Sequence, residues 1–267
     1  MRHLAVVLVG ILVVLSYRPA HADSPATSYT VVRDVLYASP TGSVSVQEAS
    51  SVVAAFVTNP HNWGSASGPV RVEYNGAGAP SEAGDVSAVI QNAIATWDAI
   101  PLTTFSFTYG GTTTATAGSC ADQINVDGEN TITFAPLEGL VLAVTCTISP
   151  TSGPTTNLVE FDMQISNDAG LWSSLSATPA TMFDLPSAVL HELGHAAGLG
   201  HSDSLGAVMS PVLDPGEQRR TLTDDDIAGL RAAYPSTTAR GDSQSAGTAE
   251  RPMFMPFHLA AAMITSN

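Results

Sequence analysis

The most informative pattern in this 267-residue chain is His191-Glu192-Leu-Gly-His195-Ala-Ala-Gly198-Leu-Gly-His201. Histidines four residues apart on an α-helix lie one above the other, so His191 and His195 share one face. Glu192 follows His191 by about 100° of helix rotation and can lean over the same cleft. Gly198 can end the helix because it accepts a left-handed backbone, which lets the chain turn back and bring in His201. Three histidines that leave one position open to water form the ligand set of a catalytic zinc.

This spacing is selective. In a chain of this composition, a random His-Glu-x-x-His has odds of about one in two hundred, and adding Gly198 and His201 lowers them to roughly one in 10⁵. A lone histidine is usually an ordinary surface or core residue. His61 and His258 have no partner at ligand spacing and are interpreted as structural. We therefore predict His191, His195 and His201 as metal ligands and Glu192 as the catalytic residue.

The surrounding sequence predicts an α+β domain. Asp184 and Pro186 are typical of a helix start, and apolar residues continue at helical spacing to Ala197. Another helix is capped by Thr223–Asp226 and ended by Pro235. Upstream, the apolar pattern predicts a helix over residues 84–99 and strands over residues 70–74, 103–109, 130–134, 140–148 and 158–165. A strand, a helix, four strands and then helices favour a mixed sheet with helices packed on it.

The N-terminus has the pattern of a secretory signal peptide. A basic start precedes an apolar run over residues 4–15 and an Ala20-His21-Ala22 cleavage site. The alternative is a membrane anchor, but twelve helical residues rise about 18 Å, short of the roughly 30 Å hydrocarbon core. We predict cleavage after Ala22 and a secreted product. Residues 23–68 are interpreted as an N-terminal extension or short pro-segment, and residues 236–267 as a flexible tail.

The charge and the cysteine content indicate which binding partners and which cellular compartment are expected. The chain has 24 acidic and 9 basic residues, a net charge of −15 and a pI of about 4.5. Nucleic acids and anionic membranes require a basic face, so neither is expected as a partner. In an oxidising compartment Cys120 and Cys146 can form a disulfide, and the alternative is two buried free thiols. We expect a monomer.

The signature resembles that of the matrixins, the matrix metalloproteinase-like group of the metzincins. Ala207-Val-Met209-Ser-Pro211 is similar to their Met-turn, and Ser202 follows the third histidine as in that group. The resemblance covers about residues 69–235. It implies a twisted mixed sheet packed on an active-site helix, a C-terminal helix after the Met-turn, and Met209 as an apolar floor beneath one catalytic zinc.

The resemblance also implies a function. The chain is expected to be a secreted zinc endopeptidase that cleaves internal bonds of proteins, with zinc activating water and Glu192 as general base. An extended substrate would pair with an edge strand, for which residues 140–146 are the candidate, although they can also form an interior strand. Residues near Val212 and Leu213 are expected to line the pocket for the residue after the cleaved bond, although ordinary core packing explains them as well.

The chain departs from the animal matrixins in several features. It has no Pro-Arg-Cys-Gly switch, no His-x-Asp stretch for a second, structural zinc and no haemopexin-like repeats. Calcium is a further candidate ion, although ordinary surface acids are the preferred interpretation of the residues that could hold it: Asp122, Asp127, Asp162, Asn167 and Asp168. Two other functions stay open: a zinc hydrolase of another class, such as a deacetylase or aminopeptidase, and a non-catalytic secreted binding protein. The presence of Glu192 argues against the second.

Overall fold

A computed structural model describes residues 11–16, 28–39, 56–59, 61–64, 68–120, 125–151 and 157–236. The predicted tail beyond Ser236 and the predicted cleavage site at Ala22 lie outside the described residues. The signal peptide and its removal therefore stay predictions. Among the described residues, no helix has the length and apolar character needed to cross a bilayer.

The described residues form a mixed sheet of eight strands, a second sheet of two short strands, and three α-helices. The strands are β1 (Ile11–Ser16), β2 (Ser28–Ala38), β3 (Val70–Asn75), β4 (Phe107–Thr112), β5 (Thr131–Ala135), β6 (Val141–Pro150), β7 (Glu160–Ser166), β8 (Trp172–Ser173), β9 (Phe183–Asp184) and β10 (Val212–Leu213). The helices are α1 (Val86–Asp98), α2 (Leu185–Ala196) and α3 (Asp224–Ala233). This arrangement confirms the predicted α+β class.

The large sheet has the order β1-β2-β6-β7-β5-β3-β4, and β10 pairs with β2. Strands β4, β3, β5 and β7 run parallel, whereas β6 is antiparallel to β7 and to β2. The parallel strands are joined by a helix or by longer connections, because parallel neighbours cannot be linked by a tight turn. Strand β1 is antiparallel to β2, so β1 and β6 both run against the parallel strands, and β6 contacts α2 through Thr145.

The two larger helices are joined through a buried tryptophan. Trp97 of α1 is fully buried, and its indole N–H donates to the carbonyl of Leu190 in α2 at 2.9 Å. The apolar face of α1 packs into the same core cluster as the apolar residues of α2. Asp85 caps α1 and Asp184 caps α2, each accepting from a backbone N–H of the first turn. Burial of this indole between the helices fixes the position of α2 relative to α1.

Strand β2 is the main element that the sequence pattern missed. It lies within the predicted N-terminal extension and pairs along the open side of β6. The prediction of residues 140–146 as an edge strand is therefore wrong for this structure, because β6 lies between β2 and β7. The predicted strand 103–109 is also displaced to Phe107–Thr112, since Phe105 packs against Tyr234 and Phe107 instead of pairing in the sheet.

A disulfide joins Cys120 to Cys146, across 26 residues of sequence. Cys146 lies on β6 and is almost fully buried, and Cys120 follows the loop after β4. A cross-link that closes a loop of this length reduces the entropy of the unfolded chain. The bond therefore holds the loop before β5 against the strand that faces α2.

Replacing both cysteines by serine is expected to lower the free energy of unfolding by about 3 kcal/mol. For a domain of this size, the melting temperature should fall by roughly 6–12 °C. Calorimetry of the double variant measures this change, and the wild-type protein under reducing conditions is the matched control. A double variant that melts with the oxidised wild type would show that the cross-link adds no stability.

Candidate metal centre

The three predicted ligand histidines converge on one point. His191 and His195 lie on successive turns of α2, and their Nε2 atoms are 2.9 Å apart. The helix ends at Ala196, and Gly198 has a φ of 89°, so the backbone reverses there and brings His201 to the same place. One ring nitrogen from each histidine lies within 4.8 Å of the others. Among the described residues, this is the one such group of three or more histidine, cysteine or acidic side chains.

The outer nitrogens of the rings are held by backbone carbonyls. The Nδ1 atom of His191 lies 2.7 Å from the carbonyl oxygen of Val208, and that of His195 lies 2.8 Å from that of Leu199. A carbonyl can only accept, so both Nδ1 atoms carry the proton and both Nε2 lone pairs face inward. The Nε2 atom of His201 is buried and has no hydrogen-bond partner. The site thus presents unprotonated nitrogens as a metal requires.

Burial keeps these imidazoles neutral. It lowers the pKa of His191 well below its ordinary value, and the neighbouring histidines act in the same direction. Burial likewise lowers the pKa of His195 to about 4 and that of His201 to about 3. Neutral imidazole is the form that binds zinc. The donor set, the orphaned nitrogen and the protonation state all fit a zinc ion.

Glu192 is fully buried beside the histidines and is held by a residue of the sheet. The hydroxyl of Thr145 on β6 donates to Oε2 of Glu192 at 2.5 Å, whereas Oε1 has no hydrogen-bond partner. Burial raises the pKa of this carboxyl well above its ordinary value, and the Thr145 hydrogen bond partly offsets that effect. Thr145 has no sequence signal of its own, because only the antiparallel approach of β6 brings it to α2.

Asp34 is a second residue that sequence reasoning missed. Its carboxylate is 5% exposed, accepts from the side-chain amide of Asn59 at 3.0 Å, and lies 3.7 Å from Nδ1 of His195. Burial raises the pKa of Asp34, and the hydrogen bond from Asn59 acts against it. The residue reaches the site because β2 crosses it.

The methionine turn packs directly beneath α2. Met209 is 2% exposed, and its sulfur lies against Gly194 of the signature. A Cβ atom at position 194 would overlap this sulfur and would also lie 2.9 Å from Cζ2 of Trp97. The glycine between the two helical histidines is therefore required by packing. Met209 lies where an apolar floor is expected.

Asp226 fixes this turn from α3. Its carboxylate accepts from the backbone N–H groups of Val208 and Met209, each at 3.0 Å, and is 1% exposed. The same carboxylate accepts from the backbone N–H of Thr223, so it also completes the capping box that begins α3. Since the carbonyl of Val208 accepts from His191, Asp226 acts on the metal centre through the turn.

The residues considered for calcium do not assemble into a comparable group. Among those that the structure describes, Asp162 is buried and accepts from the backbone N–H of Thr131 at 3.0 Å, whereas Asp127 is exposed. Asp122 lies outside the described residues. Glu160, which sequence reasoning did not single out, is fully buried nearby, and burial raises its pKa to about 8. Calcium binding stays a prediction.

A mixed β-sheet packs on a helix that carries two of the three converging histidines, and a methionine turn lies beneath that helix. This arrangement is the metzincin-type fold. A family model described as Matrixin matches residues 71–235. The chain belongs to the matrixin family, and the resemblance seen in the sequence is confirmed.

Individual relatives are plant and animal metalloproteinases. Metalloendoproteinase 2-MMP of Arabidopsis thaliana is 29% identical over 150 residues, which cover 56% of this chain and 37% of that protein. Metalloendoproteinase 1 of Glycine max is 44% identical over 61 residues, 22% of this chain and 20% of its own. Human Matrilysin is 46% identical over 48 residues, 18% of each. The chain thus spans well under half the length of these relatives.

Replacing Asp226 by asparagine is expected to weaken the metal centre without touching a histidine. An amide has one acceptor oxygen and turns an N–H donor toward one of the two backbone N–H groups. The free energy of unfolding should therefore fall by about 1–3 kcal/mol. The Val208 carbonyl, which binds Nδ1 of His191, would then be held less firmly. The zinc dissociation constant should rise about 10–100-fold. Competition with a chromophoric chelator measures that constant, and Asp224→Asn on the exposed side of α3 is the control. Equal zinc affinity in Asp226→Asn and wild type would contradict this role.

Proposed function

We propose that this chain is a secreted zinc-dependent metalloendopeptidase that hydrolyses internal peptide bonds of proteins. The observation that carries the proposal is the convergence of three unprotonated histidine nitrogens beside the buried carboxyl of Glu192. The names of the relatives in the same family point to the same activity. Export is supported by the signal-peptide pattern and by the disulfide between Cys120 and Cys146.

His191, His195 and His201 would hold the zinc ion. When bound, zinc supplies Lewis-acid polarisation of a water molecule and of the substrate carbonyl. The carbonyls of Val208 and Leu199 hold two of the rings in the required orientation. Three protein ligands leave room for water or substrate, as a catalytic site requires.

Glu192 would carry the proton. It accepts a proton from the attacking water and delivers it to the amine nitrogen that leaves, so no covalent intermediate with the enzyme is needed. Burial raises the pKa of Glu192, which stabilises its protonated form relative to that of an exposed glutamate. The Thr145 hydroxyl fixes one carboxylate oxygen and leaves the other without a partner in the protein.

The strand edges around the site favour cleavage of internal peptide bonds of a substrate over removal of its terminal residues. We name the facing edges of β6 and β10 the peptide-binding cleft. Strand β2, which fills this cleft, pairs with β6 from Tyr29 to Tyr37 and with β10 at Tyr37 and Ala38. An extended chain can therefore continue on both sides of the metal centre, which an aminopeptidase site would not allow. Backbone pairing of this kind accepts many sequences.

Replacing Glu192 by glutamine is expected to lower kcat for an internally cleaved, N-blocked peptide by at least about a thousandfold, because the proton carrier is lost. Zinc content measured by atomic spectroscopy should stay at one ion per chain, since no ligand is changed. Glu129→Gln, at an exposed acidic residue, is the matched control and should keep wild-type activity. Wild-type cleavage by the Glu192→Gln enzyme would refute the proposed mechanism, and full activity in excess chelator would refute the metal assignment.

A further inference from the structure

The third histidine reaches the metal centre through residues 197–200, which we name the return loop. A Schellman motif begins this loop at the end of α2. The N–H of Leu199 donates to the carbonyl of Gly194 at 3.0 Å, and the N–H of Gly198 donates to that of His195 at 2.8 Å. These bonds satisfy two of the four carbonyls that the end of a helix leaves without partners. The other two need donors from outside α2.

A segment from upstream in the chain supplies one of these donors. Residues 57–59 and 61–63, which we name the N-terminal clamp, pack against the return loop. Trp63 is 6% exposed, and its indole N–H donates to the carbonyl of Ala196 at 2.7 Å. A buried donor and a helix-end carbonyl thus satisfy each other, and loss of the donor would leave the carbonyl unsatisfied.

The clamp also pairs with the backbone of the return loop. The N–H of Asn59 donates to the carbonyl of Gly198 at 2.9 Å, and the N–H of Gly200 donates to the carbonyl of Val57 at 2.8 Å. The residues between these two pairs form an antiparallel bridge. Two hydrogen bonds that run in opposite directions are the pattern of an antiparallel pair, so they fix both the position and the direction of the loop.

The two glycines of the return loop allow this close approach. A Cβ atom at Gly198 would lie 3.0 Å from the carbonyl oxygen of His61, and one at Gly200 would lie 3.2 Å from Cγ1 of Val57. Both distances are shorter than an ordinary van der Waals contact. The loop therefore lies directly against the clamp and cannot move toward it without displacing it.

Tyr234 connects the clamp to the return loop a second time. Its hydroxyl accepts from the backbone N–H of Trp63 at 3.0 Å and donates to the carbonyl of Ala197 at 2.7 Å. The residue is 4% exposed, and its ring lies against that of Phe105 at a centroid distance of 4.6 Å. The last open carbonyl of α2 is therefore bound by the residue that follows α3.

The return loop carries two parts of the metal centre. His201 follows it directly, and the carbonyl of Leu199 within it accepts from Nδ1 of His195 at 2.8 Å. Groups that bind the outer nitrogen of a ligand histidine set the orientation of its ring and the affinity for the metal. A displaced return loop would therefore disturb two of the three ligands at once.

We propose that the N-terminal clamp is a positioning element of the metal centre, which holds the return loop through the Trp63 indole and the Tyr234 hydroxyl. This inference rests on the proposed function, because it gives a role to residues around the same three histidines. The clamp lies before residue 71, where the family match begins, and within residues that the sequence pattern assigns to an extension or pro-segment. The catalytic unit therefore includes residues 57–63.

Replacing Trp63 by phenylalanine removes the indole N–H and keeps an aromatic ring. In the full chain, competition with a chromophoric chelator should show a zinc dissociation constant raised at least about tenfold, because the return loop is held less firmly. Trp172→Phe is the matched control. Trp172 is fully buried, and its indole N–H donates to the carbonyl of Ser166 at 2.7 Å, next to the start of α2. Its zinc dissociation constant should stay within about twofold of wild type.

Thermal melting of the two variants separates positioning from general loosening of the domain. Each variant loses one buried hydrogen bond of the same kind, so we expect similar falls in Tm. An equal rise of the zinc dissociation constant in Trp63→Phe and Trp172→Phe would show loosening alone and would overturn the inference. Wild-type zinc affinity in Trp63→Phe would overturn it as well.

A spectroscopic measurement reads the geometry of the centre itself. With Co²⁺ in place of zinc, the visible absorption bands depend on the number and arrangement of the ligands. We expect Trp63→Phe to shift and weaken these bands, because the return loop no longer fixes His201, and Trp172→Phe to keep the wild-type spectrum. A wild-type spectrum in Trp63→Phe would contradict the positioning role.

A second variant tests the inference in a chain that keeps Trp63. Tyr234→Phe removes the hydroxyl that joins the clamp to the return loop, and the zinc dissociation constant should rise at least about threefold. Tyr109→Phe is the control, because the Tyr109 hydroxyl binds Oγ of Ser87 at 2.9 Å, on α1. Wild-type zinc affinity in Tyr234→Phe would overturn the inference even if Trp63→Phe failed to fold.

These outcomes are separate from those of the proposed function, because zinc affinity is measured without a peptide. A chain whose variants bind zinc as expected, but which cuts no peptide, would refute the endopeptidase proposal and leave the positioning role standing. A chain that cuts peptides, with wild-type zinc affinity in Trp63→Phe, would refute the positioning role alone. A chain that binds no zinc would refute both.

Discussion

Three imidazoles can share one buried site only if all of them are neutral, because positive charges so close together would repel one another. The carbonyls of Val208 and Leu199 bind the outer nitrogens of His191 and His195, which leaves their inner lone pairs free for a metal. Each carbonyl comes from a turn whose position is set elsewhere. The turn that contains Val208 is held by hydrogen bonds to the Asp226 carboxylate. The start of α3 and the metal centre therefore belong to one hydrogen-bonded network.

The same geometry places the chemistry beside β6, which lies between β2 and β7 in the sheet. Strand β6 runs against the parallel strands and passes over α2, where Thr145 contacts Glu192. Because this strand presents backbone groups to its open side, whatever pairs there lies directly over the histidines. In this chain the partner is β2, and the position of Leu36 in the core explains why the segment binds in one register.

Much of the domain is readable from local patterns. The helix starts at Asp184 and Thr223 and the strands after Glu129 follow from caps and alternation, which act over a few residues. The segment over residues 28–38 was missed because its place over α2 depends on pairing with β6 and β10, which lie more than a hundred residues away in sequence. The edge-strand prediction for residues 140–146 failed for the same reason. The residues of a strand do not specify which other strand pairs with it.

The ligand residues, the helix that carries two of them and the glycine that returns the third could all be predicted from sequence, because each depends on spacing within eleven residues. Three contacts are visible in the folded chain alone: Thr145 holds Glu192, Asp226 supports His191 through the methionine turn, and Leu36 enters the hydrophobic core. These contacts join residues far apart in the chain. They form because burial of apolar side chains packs these elements together, and most buried polar groups then pair with the element that lies against them.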